Sequence, residues 1–299
     1  MEGIKVELLI GTRNSKLALV QAERVSKALS KKDVSVRGDV DKTSPFLKFG
    51  GPSDAATNIW TEEMEAKLSS GELDLLVHCL KNMPTNLPEA CVIGAIIHRE
   101  DLTDALVVKD GLPYTDLAGL PAGSVVGTSS TRRKALLKYK YPHLVIRECR
   151  GNLETRLRKL DVPEGPFSAI IVATAGLNRI DLSHRITKSL SASESPYAVG
   201  QGALGIEIRA NEPSTLSVIR KIEELPTRWI SLAERSLLHN IIHRHGSSQV
   251  SSVAVSDVAG DGDAESLGAM LAKQLEENGG RALLDEIRTL QQNELRMSR

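Results

Sequence analysis

The chain predicts an α/β fold of repeated strand–turn–helix units with mainly parallel sheets, and three observations lead there. Short apolar runs recur, and most are followed by a Gly/Ser turn and then by an amphipathic stretch of helical period. Good helix N-cap residues stand at several of those turns, among them Ser129, Ser130 and Asn152. The cations Arg13, Lys81, Arg132, Arg133, Arg150 and Arg156 fall just beyond strand ends, where α/β folds bind ligands. At 299 residues the chain is long enough for two or three domains with a substantial core. Two α/β domains facing one polyanionic ligand is the simplest arrangement these features suggest.

Taken in order, Val6–Ile10 reads as a buried strand. Gly11 to Ser15 reads as a turn and Leu17–Val25 as an amphipathic helix with Arg13 and Ser15 at its start. Val34–Val40 is a second strand. Residues 41–57 form a Gly/Ser/Pro-rich stretch, expected as a long loop, and long loops inside compact domains are usually functional. Thr61 caps a helix that Gly71 ends, and Leu73–His78 is the next strand, running into Cys79-Leu80-Lys81-Asn82-Met83-Pro84-Thr85. Val92–Ile97 is another strand, and Arg99-Glu100-Asp101 reads as a crossing point. The alternation resumes with Ala105–Val108, Val125-Val126, Leu144–Ile146 and Ala169–Ala173, and Ser191–Pro196 reads as a linker. From Pro213 onward the chain turns helical, with candidates near 213–224, 227–242, 264–277 and 281–292 and one short strand candidate, Val253–Val255.

Composition excludes several classes. Hydrophobic residues make up 41% and charged residues 25%, ordinary for a globular protein. A net charge of zero argues against a general nucleic-acid binder, which needs a basic excess, and 3% aromatics leave little for base stacking. The N-terminal segment has no signal-peptide layout, no transit peptide is expected, and no apolar run reaches membrane-spanning length. A cytoplasmic monomer with no membrane or nucleic-acid partner is therefore expected. Three scattered cysteines make neither a disulfide framework nor a zinc site. His239, His243 and His245 lack a neighbouring carboxylate or cysteine and read as a polar helix end, so no metal is expected.

The positive charge must then be local. Gly127-Thr128-Ser129-Ser130-Thr131-Arg132-Arg133 and Arg150-Gly151-Asn152-Leu153-Glu154-Thr155-Arg156 each place arginines at a helix N-terminus, where free N–H groups and the macrodipole favour anions. Arginine's planar fork suits carboxylates. The combination predicts a site for several carboxylates or phosphates.

At these residues the sequence resembles the hydroxymethylbilane synthase (porphobilinogen deaminase) family. The stretches that carry the resemblance are Ile10–Arg13 with Leu17–Leu19, Val77–Thr85, Gly127–Arg133, Arg150–Leu157, Ala173–Leu177 and Tyr197–Leu204, with Ala233–Arg235 and Leu267–Ile287 later. The resemblance implies two periplasmic-binding-protein-like (type II) domains around a cleft, residues 1–98 with 197–212 and residues 99–196. A small, shortened α/β domain over 213–299 completes the expectation. It implies tetrapyrrole (heme) biosynthesis, in which four porphobilinogens are joined head to tail with loss of ammonia, primed by a dipyrromethane cofactor on a cysteine. It also implies that Arg13, Ser15, Lys81, Thr128, Ser130, Arg132, Arg133, Arg150 and Arg156 contact carboxylates of a small polycarboxylate, porphobilinogen or a relative.

The departures from the family pattern lie on the chemistry. The family's Ser-Leu-Lys-Asp-Met-Pro-Thr reads Cys79 to Thr85 here, so the catalytic aspartate position is Asn82. Its amide presents a donor where an acceptor of pyrrole N–H groups is needed. Losing such a preorganised partner typically costs ~3–4 kcal/mol of transition-state stabilisation. The family's cofactor cysteine aligns best with Ser248, whose hydroxyl lacks thiolate character. The loop that brings a lysine over the family site has none after Lys48 and carries Asp54. These changes leave two alternatives to the synthase: an inactive paralogue that binds a polycarboxylate, or an enzyme recruited to another pyrrole or small-carboxylate reaction.

Overall fold

The structure is a computed structural model and describes residues 7–32, 34–38, 54–242 and 258–277. Lys48, His243, His245, Ser248, the strand candidate 253–255 and the helix candidate 281–292 lie outside those residues. The chain divides into two compact units. One runs to Asn82 and from Pro88 to Glu223; the other joins Met83–Leu87 to the chain from Glu224 onward.

Among the described residues the larger unit holds two five-stranded sheets. The first uses β1 (Glu7–Gly11), β2 (Ser35–Gly38), β3 (Leu75–Cys79), β4 (Cys91–Ile97) and, from much later in the chain, a returning strand Leu204–Arg209. Between them run α1 (Lys16–Ser30) and α2 (Asp54–Ser70). The second sheet uses β5 (Asp104–Val108), β6 (Val125–Gly127), β7 (Val145–Arg147), β8 (Ala169–Ala173) and β9 (Lys188–Leu190). Its helices are α3 (Thr131–Lys140), α4 (Leu153–Asp161) and the short α5 (Thr174–Arg179). The returning strand is β10, and α6 (Pro213–Ile219) follows it.

The strand orders are β2-β1-β3-β10-β4 and β7-β6-β8-β5-β9. They are the same pattern twice: a parallel trio starting at one edge, one antiparallel strand reached by a passage from the other sheet, and one further edge strand. β10 runs antiparallel to both β3 and β4, and β5 antiparallel to both β8 and β9. The expectation of mainly parallel sheets is corrected accordingly: the class is α/β with mixed sheets of binding-protein-like type II arrangement. The inserted strand arrives from the opposite half, and nothing in its own apolar pattern states its direction.

Both faces of each sheet are covered, which is why the strands read as unbroken apolar runs. In β5, Leu106 and Val108 pack with Val126, Leu137 and Ile171 on one face. Ala105 and Val107 pack with Leu157, Ile170 and Leu177 on the other. In the first sheet, Leu8, Ile10, Leu75, Val77 and Ile206 pack against Val25 and Leu29 of α1, while Leu76 and Leu73 meet Met64 and Leu68 of α2.

Several features differ from the sequence expectation. Helix α2 begins at Asp54, seven residues before Thr61, because Asp54-Ala55-Ala56-Thr57 takes helical form and shortens the expected loop. The strands β9 and β10 were not anticipated. Val218 and Ile219 of α6 enter the core of the first sheet.

The chain passes between the sheets twice, at 98–103 and 191–203, and the two passages bind each other. The Glu100 N–H donates to the Gly202 carbonyl (3.0 Å) and Arg99 Nε to the Gln201 carbonyl (2.8 Å), and Arg179 of α5 adds an Nη2 bond to the Gly202 carbonyl (2.6 Å). Gly202 has φ +86°, and a Cβ there would lie 2.3 Å from the Glu100 oxygen, so only glycine fits.

In the smaller unit α7 (Leu225–Ile242) packs on α8 (Asp261–Leu275). A Cβ at Gly268 would lie 2.2 Å from the Ala233 carbonyl, which shows how closely the helices approach. Arg228 grips Asp261 through Nε and Nη2 (2.9 and 2.7 Å). The buried Arg235 donates to the carbonyls of Met83 (3.2 Å), Pro84 and Thr85 (3.4 Å), tying that segment to α7.

Candidate anion-binding site

The turns behave as their residues dictate. Ser15, Ser130 and Asn152 are N-caps in extended conformation, and their side chains accept from the N–H groups of Ala18 (3.3 Å), Arg133 (3.4 Å) and Thr155 (2.8 Å). Thr128 is buried and its Oγ1 accepts from the Ser130 N–H (3.3 Å). Beyond β3, a short 3-10 turn over Leu80–Asn82 buries Leu80, leaves Lys81 half-buried and exposes Asn82.

The cations separate into three groups. Arg13 is exposed at the start of α1, and no side-chain hydrogen bond or ion pair holds it among the described residues. Arg150 donates to Glu148 through Nε (2.7 Å) and Nη2 (3.2 Å), and Arg156 Nε donates to the Gly151 carbonyl (2.8 Å). Glu148 also takes Lys134 Nζ at 2.7 Å, and the two cations draw its exposed carboxyl down to about 2. Arg132 and Arg133 converge on Asp104, which is fully buried.

Asp104 is the centre of the arrangement. Its Oδ1 accepts from Arg133 Nη2 (2.5 Å) and Gln201 Nε2 (2.9 Å), and its Oδ2 from Arg132 Nη2 (2.7 Å) and Ser195 Oγ (2.8 Å). Burial alone raises the carboxyl's pKa. The Arg133 and Arg132 guanidiniums overcome that and hold it far below the carboxylate range. Arg132 also donates to the Pro196 carbonyl, and Arg133 to the Ile171 carbonyl (3.1 Å). Gln201 donates to the Leu102 (2.7 Å) and Thr103 (3.1 Å) carbonyls and accepts from Lys81 Nζ (3.4 Å). The ammonium of Lys81 is thus linked to the arginines of the other sheet. Desolvation first, then the charges of Arg133 and Arg132, lowers Lys81 to about 8, against the opposing pull of Cys79 and Asp104.

Sequence reasoning named Lys81, Arg132 and Arg133 but not Asp104, Gln201 or Ser195, which join them. A usable signal stood in the chain: a charged residue opening the apolar run Asp104-Ala105-Leu106-Val107-Val108, at a position that needs a partner once buried. Glu148 was also missed. Among the described residues no group of three or more His, Cys, Asp or Glu is placed to hold a metal ion, and no helix is long and apolar enough to cross a membrane.

Comparison with known proteins bears directly on this geometry. Residues 8–217 match the family model for porphobilinogen deaminase, dipyromethane cofactor binding domain. The chain belongs to the porphobilinogen deaminase family. A porphobilinogen deaminase from Debaryomyces hansenii is 41% identical, with 93% of this chain and 87% of that protein covered. One from Yarrowia lipolytica is 39% identical, covering 94% and 93%, and one from Synechococcus elongatus 39%, covering 93% and 94%. The matched residues contain nearly all of both sheets and every cation of the candidate site. They are the part of the family that holds the dipyrromethane, and they place the chain in a family of tetrapyrrole biosynthesis.

The cation set fits such a group. Lys81, Arg132 and Arg133 carry three positive charges around one carboxylate, an excess of two that the acid side chains of a dipyrromethane can neutralise.

Proposed function

We propose that this chain binds porphobilinogen or a related pyrrole polycarboxylate at the Lys81–Arg132 site and does not polymerise it by the family route. The observation that carries this reading is the composition of the site. Cations are in excess, the central carboxylate of Asp104 is consumed by four donors, and the residue after Lys81 is the neutral, exposed Asn82. The excess charge favours a ligand with several carboxylates. No carboxylate stands at position 82 to accept pyrrole N–H groups or to offset the positive charge that develops as ammonia departs.

In this reading Arg13, Ser15, Lys81, Thr128, Ser130, Arg132, Arg150 and Arg156 orient the ligand's carboxylates, and Arg133 supports the array. A bound dipyrromethane supplies a free pyrrole carbon to which further units are added. Ser248, aligned with the family's cofactor cysteine, is a weak nucleophile for attaching one. The reading places the protein in the cytoplasm as a monomer.

Two measurements on the full chain test it together: titration calorimetry with porphobilinogen, and intact mass after expression in a host that makes porphobilinogen. Binding with a bare polypeptide mass and no hydroxymethylbilane formed is the expected result. An added mass equal to a dipyrromethane, or tetrapyrrole product, would overturn it and restore the family synthase. Absence of binding would point to a site recruited to a different ligand.

A further inference from the structure

At the centre of the cation site lies a carboxylate with no exposed surface. This Asp104 carboxylate takes four donors from two parts of the chain: two guanidiniums from α3, and the Ser195 hydroxyl and Gln201 amide from the second passage between the sheets. Arg133 is 5% exposed, spends Nη2 on Asp104 and Nη1 on the Ile171 carbonyl, and faces away from solvent. Arg132 is held by Asp104 and the Pro196 carbonyl yet keeps 29% of its side chain exposed. Gln201, fully buried, holds Asp104 with its amide nitrogen and Lys81 with its amide oxygen.

We infer that Asp104 is the positioning residue of the anion site: it sets the Arg132 guanidinium directly and the Lys81 ammonium through Gln201, while Arg133 serves Asp104 and not the ligand. The inference rests on the anion-binding reading above and assigns its parts. One buried negative charge holds two cations that would otherwise repel each other, so both sheets present charge to a single ligand. The groups facing Lys81 are Cys79 on β3, Arg132 and Arg133 on α3, Asp104 on β5 and Gln201.

The test uses the full chain and reads Lys81 itself. Acetic anhydride acylates only the neutral amine, so the pH midpoint of Lys81 acylation, followed by mass spectrometry of its peptide, reports its electrostatic surroundings. Asp104→Asn keeps the shape and removes the charge, and the midpoint is expected to fall by roughly one pH unit. Gln201→Met keeps every charge and nearly the same volume but breaks the relay. It is expected to move the midpoint in the same direction by less, and it serves where Asp104→Asn fails to fold. Porphobilinogen affinity is expected to drop about tenfold in Asp104→Asn, as it does in Arg132→Met. The double variant loses little more, because the two residues act as one unit.

Unchanged midpoints in both variants would overturn the inference, as would full additivity of the two substitutions. A wild type that binds no porphobilinogen would sink the functional reading alone, because the acylation midpoints still decide the role of Asp104.

Discussion

Each sheet of the larger unit carries a fully buried carboxylate on its inserted antiparallel strand, Asp104 on β5 and Glu207 on β10, and their surroundings are opposite. Asp104 meets two guanidiniums, a hydroxyl and an amide and is held ionised. Glu207 faces His78, with Nε2 at 3.0 Å, and a second carboxyl, Glu65 of α2; neither of its oxygens has a well-formed hydrogen bond. Burial first, then the charges of Glu207 and Glu62, raises Glu65 to about 7. Asp104 and Glu65 are both buried yet shift in opposite directions, and the difference lies in their partners. The saturated carboxylate stands among the site's cations; the poorly satisfied cluster lies where α2 packs on the sheet.

The pH dependence of stability should follow from this contrast, with opposite signs. Asp104 has a lowered folded pKa, so its contribution is present above the ordinary aspartate pKa and fades as pH falls below it. Glu65 has a raised folded pKa, so its contribution is full below its ordinary pKa of 4.5 and is lost as pH rises through about 7.

The largest expected effect breaks the Asp104 side of the comparison. Asp104→Ala leaves the buried Arg133 without its counter-charge and should cost about 3–5 kcal/mol in urea unfolding at pH 7. A loss below about 1 kcal/mol would mean that water or another group replaces the carboxylate. The next effect sharpens the other side. Glu65→Gln removes the charging penalty, so its stability relative to wild type should be higher at pH 8.5 than at pH 5 by roughly 3 kcal/mol. Parallel pH profiles would show that Glu65 titrates normally.

Smaller changes calibrate these two. Asn152→Ala removes the α4 cap and should cost ~1 kcal/mol without altering the pH profile. Glu148→Gln breaks an exposed ion pair with Arg150 and Lys134 and should leave the urea midpoint unchanged in 0.15 M salt. A measurable loss there would show that exposed pairs in this protein behave like Asp104.

Local rules carried the sequence reading a long way. Ser130 and Asn152 cap helices because a short polar side chain before a helical run satisfies a free N–H, a relation spanning three residues. The strands 91–97, 104–108 and 169–173 were legible because both of their faces are apolar. What was missed depends on distant partners. β10 opens directly after Gly200-Gln201-Gly202, which reads as a turn, and its direction is set by β3 and β4. Asp104 gains its meaning from Arg132, Arg133, Ser195 and Gln201, between 28 and 97 residues away. The sequence displays the charge of Arg132 and Arg133 but not the carboxylate that faces them.

The position of β10 also bears on the order of assembly during synthesis. Among the described residues β4 is an edge strand whose one neighbour in the sheet is β10, and Ile97 pairs with Leu204, about a hundred residues later. At ~5–20 residues per second a ribosome needs roughly 5–20 s to cover that distance. In that interval all five strands of the second sheet emerge as one uninterrupted segment, Asp104 to Leu190, while β4 has no strand to pair with. The later half of the sheet pair can therefore close first on the nascent chain. The earlier half must wait, exposing an unpaired edge to whatever in the cell recognises one.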